Sequence, residues 1–185
     1  MADTSDFRNG FTMEIDGNLV AIAEFQHVKP GKGGAFVRTK LKYIESGKVV
    51  EKTFRAGEKV TEVRLETHTY QYLFNDGEMY TFMHTESFEQ IGLPAEQLAD
   101  AIPYMKENDN VSMLMRGEKP ITVEVANHVE LEVTQSDPGL KGDTAQGGTK
   151  PATLETGLVV QVPLFVEEGD VLRIDTRTGK YMTRV

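Results

Sequence analysis

The chain has 185 residues, a net charge of −9 and no cysteine. The missing cysteine removes disulfides, thiol nucleophiles and thiolate metal sites, and it fits a reducing, cytoplasmic setting. No apolar run nears the roughly 20 residues a membrane helix needs, and the polar, acidic start MADTSDFRNG reads as neither a secretory signal nor a transit peptide.

Charge is unevenly spread. Residues 1–64 carry a net +2, residues 65–126 a net −8 and residues 127–185 a net −3. Within the first third, residues 29–64 alone carry a net +6. A chain this acidic does not coat RNA along its length, but it can touch RNA at its basic end.

In chain order, Val20 and Ile22 begin a strand-type alternation that runs into Lys29-Pro30-Gly31-Lys32-Gly33-Gly34. Glycine supplies tight-turn backbone and no side chains, so Lys32 is expected at the tip of a slim hairpin loop. After the loop, Val37, Thr39, Leu41 and Tyr43 fall on one strand face, and Arg38, Lys40 and Lys42 on the other. A second hairpin is predicted at residues 70–83. There Tyr70, Tyr72 and Phe74 alternate as expected core, and Asn75-Asp76-Gly77 supplies the turn. One short helix is predicted from Pro94, with Ala95, Leu98, Ala101 and Ile102 on one side and Pro103 as its stop. Strands resume with Val129, Leu131 and Val133, then Val160, Val162 and Leu164, then residues 171–175 and 180–184 around Thr178-Gly179. Between them lies a second glycine-rich loop containing Gly142, Asp143 and Thr144, which on residue types reads first as a plain turn and second as a polar loop that could present amides, a hydroxyl and a carboxylate to single-stranded RNA.

Many short strands with regular turn signals and almost no helix predict an all-β protein of small barrels or sandwiches. Composition breaks near residues 63–66 and 126–128 cut it into thirds, which leaves two or three domains open.

No enzyme signature appears. Gly31-Lys32 lacks the upstream glycine of a phosphate loop, since Gln26 stands there, and Gly33 follows where Ser or Thr is needed. His27, His68, His84 and His128 lack the spacing of a helical metal pair, so no metal site is predicted, and His27 is read as structural. The serines sit in no nucleophile elbow, and no carboxylate pair stands out.

Five separated motifs carry a resemblance. They are Phe7-Arg8-Asn9-Gly10, Gln26 to Gly33, Lys52 to Glu58, Pro138 to Thr144, and Lys150 to Gly157. Together, in this order, they resemble the bacterial elongation factor P family over essentially the whole chain. The resemblance implies three small β-barrels in an elongated, tRNA-like shape. These are an SH3-like (KOW-like) domain at 1–64, a central OB-fold domain at 65–126 and a C-terminal OB-fold domain at 127–185.

It also implies a non-enzymatic, cytoplasmic, monomeric factor that binds the 70S ribosome between the P and E sites and relieves stalling at consecutive prolines. Lys32 matches the lysine that such proteins extend by post-translational modification, of β-lysyl or aminoalkanol type, through a lysine-modifying enzyme. That lysine approaches the CCA end of the P-site peptidyl-tRNA. Lys29, Pro30, Gly31, Gly33 and Gly34, with Arg38, Lys40 and Lys42, are the expected RNA-facing residues, ribosomal RNA among their partners. Gly142, Asp143 and Thr144 match a loop that faces the small subunit and messenger RNA at the E site. No separate cofactor is implied. Two alternatives are a paralogue of this family with a specialised ribosomal role and a general OB-fold RNA-binding module stacking bases on exposed aromatics.

Overall fold

The alternation around the glycine loop becomes a long antiparallel hairpin, and the same principle builds the rest of the chain. In the computed structural model, which describes residues 1–139 and 147–185, strands dominate and form three separate curled sheets. The all-β, barrel-type expectation holds.

The first sheet contains β1 (Ala2–Asp3), β2 (Thr12–Ile15), β3 (Asn18–Val28), β4 (Phe36–Tyr43), β5 (Val49–Arg55) and β6 (Lys59–Glu62), in the order β1-β6-β2-β3-β4-β5. Its neighbours pair antiparallel throughout. Phe7, Phe11, Met13, Val20, Ile22, Val37, Leu41 and Phe54 are buried together as its core. Phe7 meets Phe54 edge-on at 5.3 Å and lies 5.6 Å from Phe11, so two of the motif regions are packing devices.

The turn after β5 has the same character. Gly57 takes φ +79°, and its N–H donates to the buried Thr4 hydroxyl at 2.8 Å. The Glu58 carboxylate accepts the Arg55 amide at 2.9 Å. Thr4 is held in place by a 3₁₀ turn over Thr4–Asp6. The Asp3 side chain caps that turn by accepting the Ser5 amide at 2.7 Å.

The second sheet contains β7 (Glu66–Asn75), β8 (Met79–His84), β9 (Gln90–Pro94), β10 (Asn110–Arg116) and β11 (Lys119–Glu124), in the order β11-β10-β7-β8-β9. The predicted hairpin turn is present. Asp76 accepts the Met79 and Glu78 amides at 2.8 and 3.0 Å, and Gly77 takes φ +104°. Tyr70 and Tyr72 are buried as expected, but Phe74 is 47 % exposed. The pairing shifts register between Tyr72 and Phe74, and one extra residue there turns the alternation over.

The helix expected from Pro94 is replaced by two 3₁₀ turns, Ala95–Gln97 and Ile102–Tyr104. The stretch before Pro103 is too short to sustain an α-helix, and Pro103 instead sits in the first turn of the second segment. Leu98, Ala101 and Met105 still reach the core.

The third sheet contains β12 (His128–Ser136), β13 (Thr149–Leu154), β14 (Val159–Pro163), β15 (Val171–Asp175) and β16 (Lys180–Arg184), in the order β14-β13-β12-β15-β16. Leu131, Val133, Ala152, Leu154, Val160, Val162, Leu172 and Ile174 form its core, from the inward positions of alternating strands. By packing, the described residues fall into two compact units, 1–67 with 114–122 and 68–113 with 123–185.

Candidate functional site at the lysine hairpin

β3 and β4 pair from Val20 opposite Tyr43 to Val28 opposite Phe36. At the usual rise per strand residue the paired stretch is about 27 Å long. Its inner face is locked by Val20, Ile22, Val37 and Leu41, so the hairpin is fixed at its base. Beyond Val28 the backbone leaves the sheet, and Lys29, Pro30, Gly31, Lys32, Gly33 and Gly34 are all exposed. A Cβ built on Gly31, Gly33 or Gly34 would meet no heavy atom within 4 Å. Gly33 takes φ +105°, a conformation that L side chains rarely adopt. The loop closes at Ala35, whose carbonyl accepts the Ala56 amide at 3.0 Å. Lys32 thus stands at the tip of a slim, side-chain-free turn, and among the described residues no ion pair or hydrogen bond holds it.

The cationic strand face is also present. Arg38, Lys40 and Lys42 are exposed, while Val37, Thr39 and Leu41 between them are buried. Thr39 satisfies its buried hydroxyl by donating to the Lys52 carbonyl at 2.7 Å. Lys40 differs from its two neighbours because its Nζ lies 2.7 Å from a Glu24 carboxylate oxygen. That hydrogen bond, with the Glu24 charge behind it, raises the lysine pKa above its ordinary value. Glu24, Phe25, Gln26, Arg38, Thr39, Lys40 and Glu51 border a shallow groove of about 430 Å³ on this face. Lys52 extends over the ring of Phe54 at 5.5 Å, with its charge toward solvent.

Gly142, Asp143 and Thr144 lie outside the described residues. His27 is exposed and meets Phe25 edge-on at 5.6 Å. The buried Tyr70 and Tyr72 offer no stacking platform to RNA bases. Among the described residues no cluster of three His, Cys, Asp or Glu could hold a metal ion.

One constellation is absent from any sequence spacing. The strand pairing of β7 with β8 brings His84 Nε2 to 3.2 Å from His68 Nδ1. His84 Nδ1 accepts the amides of Glu86 and Ser87, both at 3.1 Å, which puts the proton on Nε2 and makes it the donor to His68. The 16-residue separation gives no local signal, and only the hairpin register could have exposed it.

Comparison with known proteins supports the sequence motifs along the whole chain. Models of three domains match in order: the elongation factor P (EF-P) KOW-like domain at residues 3–60, the EF-P OB domain at 65–123 and the elongation factor P C-terminal domain at 129–184. The elongation factor P of Moorella thermoacetica is 58 % identical over 184 residues, covering 100 % of both chains. The chain belongs to the elongation factor P family. The elongation factor P of Pelotomaculum thermopropionicum is 56 % identical over 185 residues, again with 100 % of both chains covered. Among solved structures, eukaryotic translation initiation factor 5A from Methanococcus jannaschii superposes with a TM-score of 0.50 at 21 % identity, covering 68 % of this chain and 90 % of that one. A translation initiation factor eIF-5A family protein from Naegleria fowleri gives 0.51 at 19 %, covering 67 % and 96 %. At that identity these two show a shared fold alone.

Proposed function

We propose that this elongation factor P family member binds the ribosome between the P and E sites and speeds peptide-bond formation at consecutive prolines. The three sheets would act as its three domains, 1–64, 65–126 and 127–185. The observation that carries the reading is Lys32, exposed and unpaired on a glycine turn at the end of a rigid hairpin. Such a lysine costs the fold nothing and is open to a modifying enzyme. A β-lysyl or aminoalkanol extension would lengthen it without adding bulk to the finger.

The chemistry belongs to the ribosome, and the factor itself is not an enzyme. Proline is a poor donor and acceptor, and a Pro-Pro nascent chain holds its ester in an unreactive geometry. A cation set against the CCA backbone of the peptidyl-tRNA restrains it, and orientation alone can be worth large factors in rate. Arg38, Lys42 and Lys29 supply further positive charge along the approach to ribosomal RNA and tRNA phosphates. Gly142, Asp143 and Thr144 are assigned to the small-subunit side and the messenger at the E site. No membrane role is proposed, and among the described residues no helix is long and apolar enough to cross one. The factor would act as a cytoplasmic monomer without a separate cofactor.

The test is a reconstituted translation assay on a Pro-Pro-Pro message. Lys32→Ala should remain folded and lose the rescue. Lys32→Arg should also fail where a lysine-specific modification is needed.

A further inference from the structure

Three non-glycine residues among the described ones have left-handed backbones: Asp16, Asn108 and Phe88. Asp and Asn visit this region readily, whereas phenylalanine does so only at a conformational cost. Phe88, at φ 62°, is also 67 % exposed, more than any other large apolar side chain described except Met1. A glycine or asparagine would serve the backbone better, so the ring is not there for the fold.

The turn that carries it, residues 85–89, is held tightly. His84 Nδ1 accepts the Glu86 and Ser87 amides at 3.1 Å. The Phe88 amide donates to the His84 carbonyl at 3.0 Å, and the His84 amide to the Glu89 carbonyl at 2.9 Å. Thr85 adds its amide and hydroxyl to the Thr69 carbonyl, both at 3.1 Å. The backbone that carries the ring is therefore fixed before contact, which leaves only the ring's own rotamers to order.

Its electrical setting selects the partner. Glu86 and Glu89 flank the ring in sequence, are exposed, and have no basic partner among the described residues. No lysine or arginine occurs anywhere from Leu65 through Met105. A polyanion is repelled by such a surface, while a cationic side chain gains both the ring face and the carboxylates.

We infer that the 85–89 turn is a docking point for a lysine- and arginine-rich polypeptide segment, with Phe88 as its anchor and Glu86 and Glu89 as its charge partners. The inference rests on the ribosomal reading, which supplies basic protein surfaces as the class of partner.

The test uses the full chain and purified 70S ribosomes. A photoreactive variant, Phe88→p-benzoylphenylalanine, is irradiated on the ribosome, and the linked fragment is identified by mass spectrometry. A basic protein segment is expected. Phe88→Asn should weaken ribosome binding about tenfold, as loss of an aromatic anchor does. Its thermal midpoint should equal or exceed that of the parent, because asparagine suits the left-handed turn. The double change Glu86→Lys, Glu89→Lys should weaken binding without touching the ring. Linkage to RNA or to a non-basic segment, no linkage from protein that sediments with ribosomes, or full affinity of Phe88→Asn overturns the inference alone. If the parent protein does not sediment with ribosomes, the ribosomal reading fails and this inference falls with it.

Discussion

Lys40 Nζ lies 2.7 Å from the carboxylate of Glu24, the residue directly opposite it across β3 and β4. The central cation of the basic face is thereby neutralised locally, and Glu51 stands opposite it on the other side in β5. The positive charge left for a partner is concentrated on Arg38, Lys42 and the loop lysines. Glu24→Gln should free Lys40, raise the rate of ribosome association a few-fold at low salt, and lose that advantage at high salt. Stopped-flow binding at two ionic strengths reads this, while the unfolding midpoint stays where it was.

Gly33 and Gly34 are neighbours with different obligations. Both have open space where a Cβ would go, but only Gly33 has a positive φ, at +105°. Gly33→Ala should distort the loop and reduce rescue on a Pro-Pro-Pro message, with no change in global stability. Gly34→Ala should retain the loop geometry. Equal effects of the two on the loop's amide chemical shifts would contradict this account of the finger.

The Thr4 hydroxyl joins the N-terminal 3₁₀ turn to the β5–β6 turn through the Gly57 amide. Thr4→Val preserves the shape and removes the acceptor, and should cost about 0.5–1.5 kcal/mol in urea unfolding. Thr4→Ser keeps the hydroxyl and should lie closer to the parent.

Asp175 is an acidic group held well below its ordinary value. Its carboxylate accepts the Arg177 side chain at 2.8 and 3.1 Å and the Arg177 amide at 2.9 Å, and these lower its pKa from 3.8 to about 2. A depressed carboxylate stabilises the folded state fully above the unfolded value, and that contribution is lost as pH falls from near 4 toward 2. A carboxyl titration by NMR should give a midpoint near 2 for Asp175. Asp175→Asn should flatten the acid limb of the stability curve over that window.

The elements that could be read in the sequence are those whose cause is local. The lysine hairpin follows from two alternating runs and a glycine turn, and the Asn75-Asp76-Gly77 hairpin from the same logic. Phe74 escaped because one inserted residue in β7 reverses every side chain beyond it, and a pattern of period two cannot announce its own slip. The helix from Pro94 failed because propensity over so few residues does not outweigh nucleation, so the chain settled into two tighter turns. His68 and His84 meet only through strand register. The strain at Phe88 is a backbone fact with no residue-type signal, since phenylalanine is the residue least expected there. For the site itself, Lys32 and the strand cations were legible by position, while the Glu24 partnership of Lys40 needed the pairing of β3 with β4.

The proposed activity rests on one presented lysine, Lys32. Its most direct test is the rate of Pro-Pro-Pro peptide formation on purified ribosomes, with natively expressed protein and with Lys32→Ala, both checked for an unchanged unfolding midpoint. Strong stimulation is expected from the first and none above the factor-free rate from the second. Full stimulation by Lys32→Ala would contradict this role of Lys32.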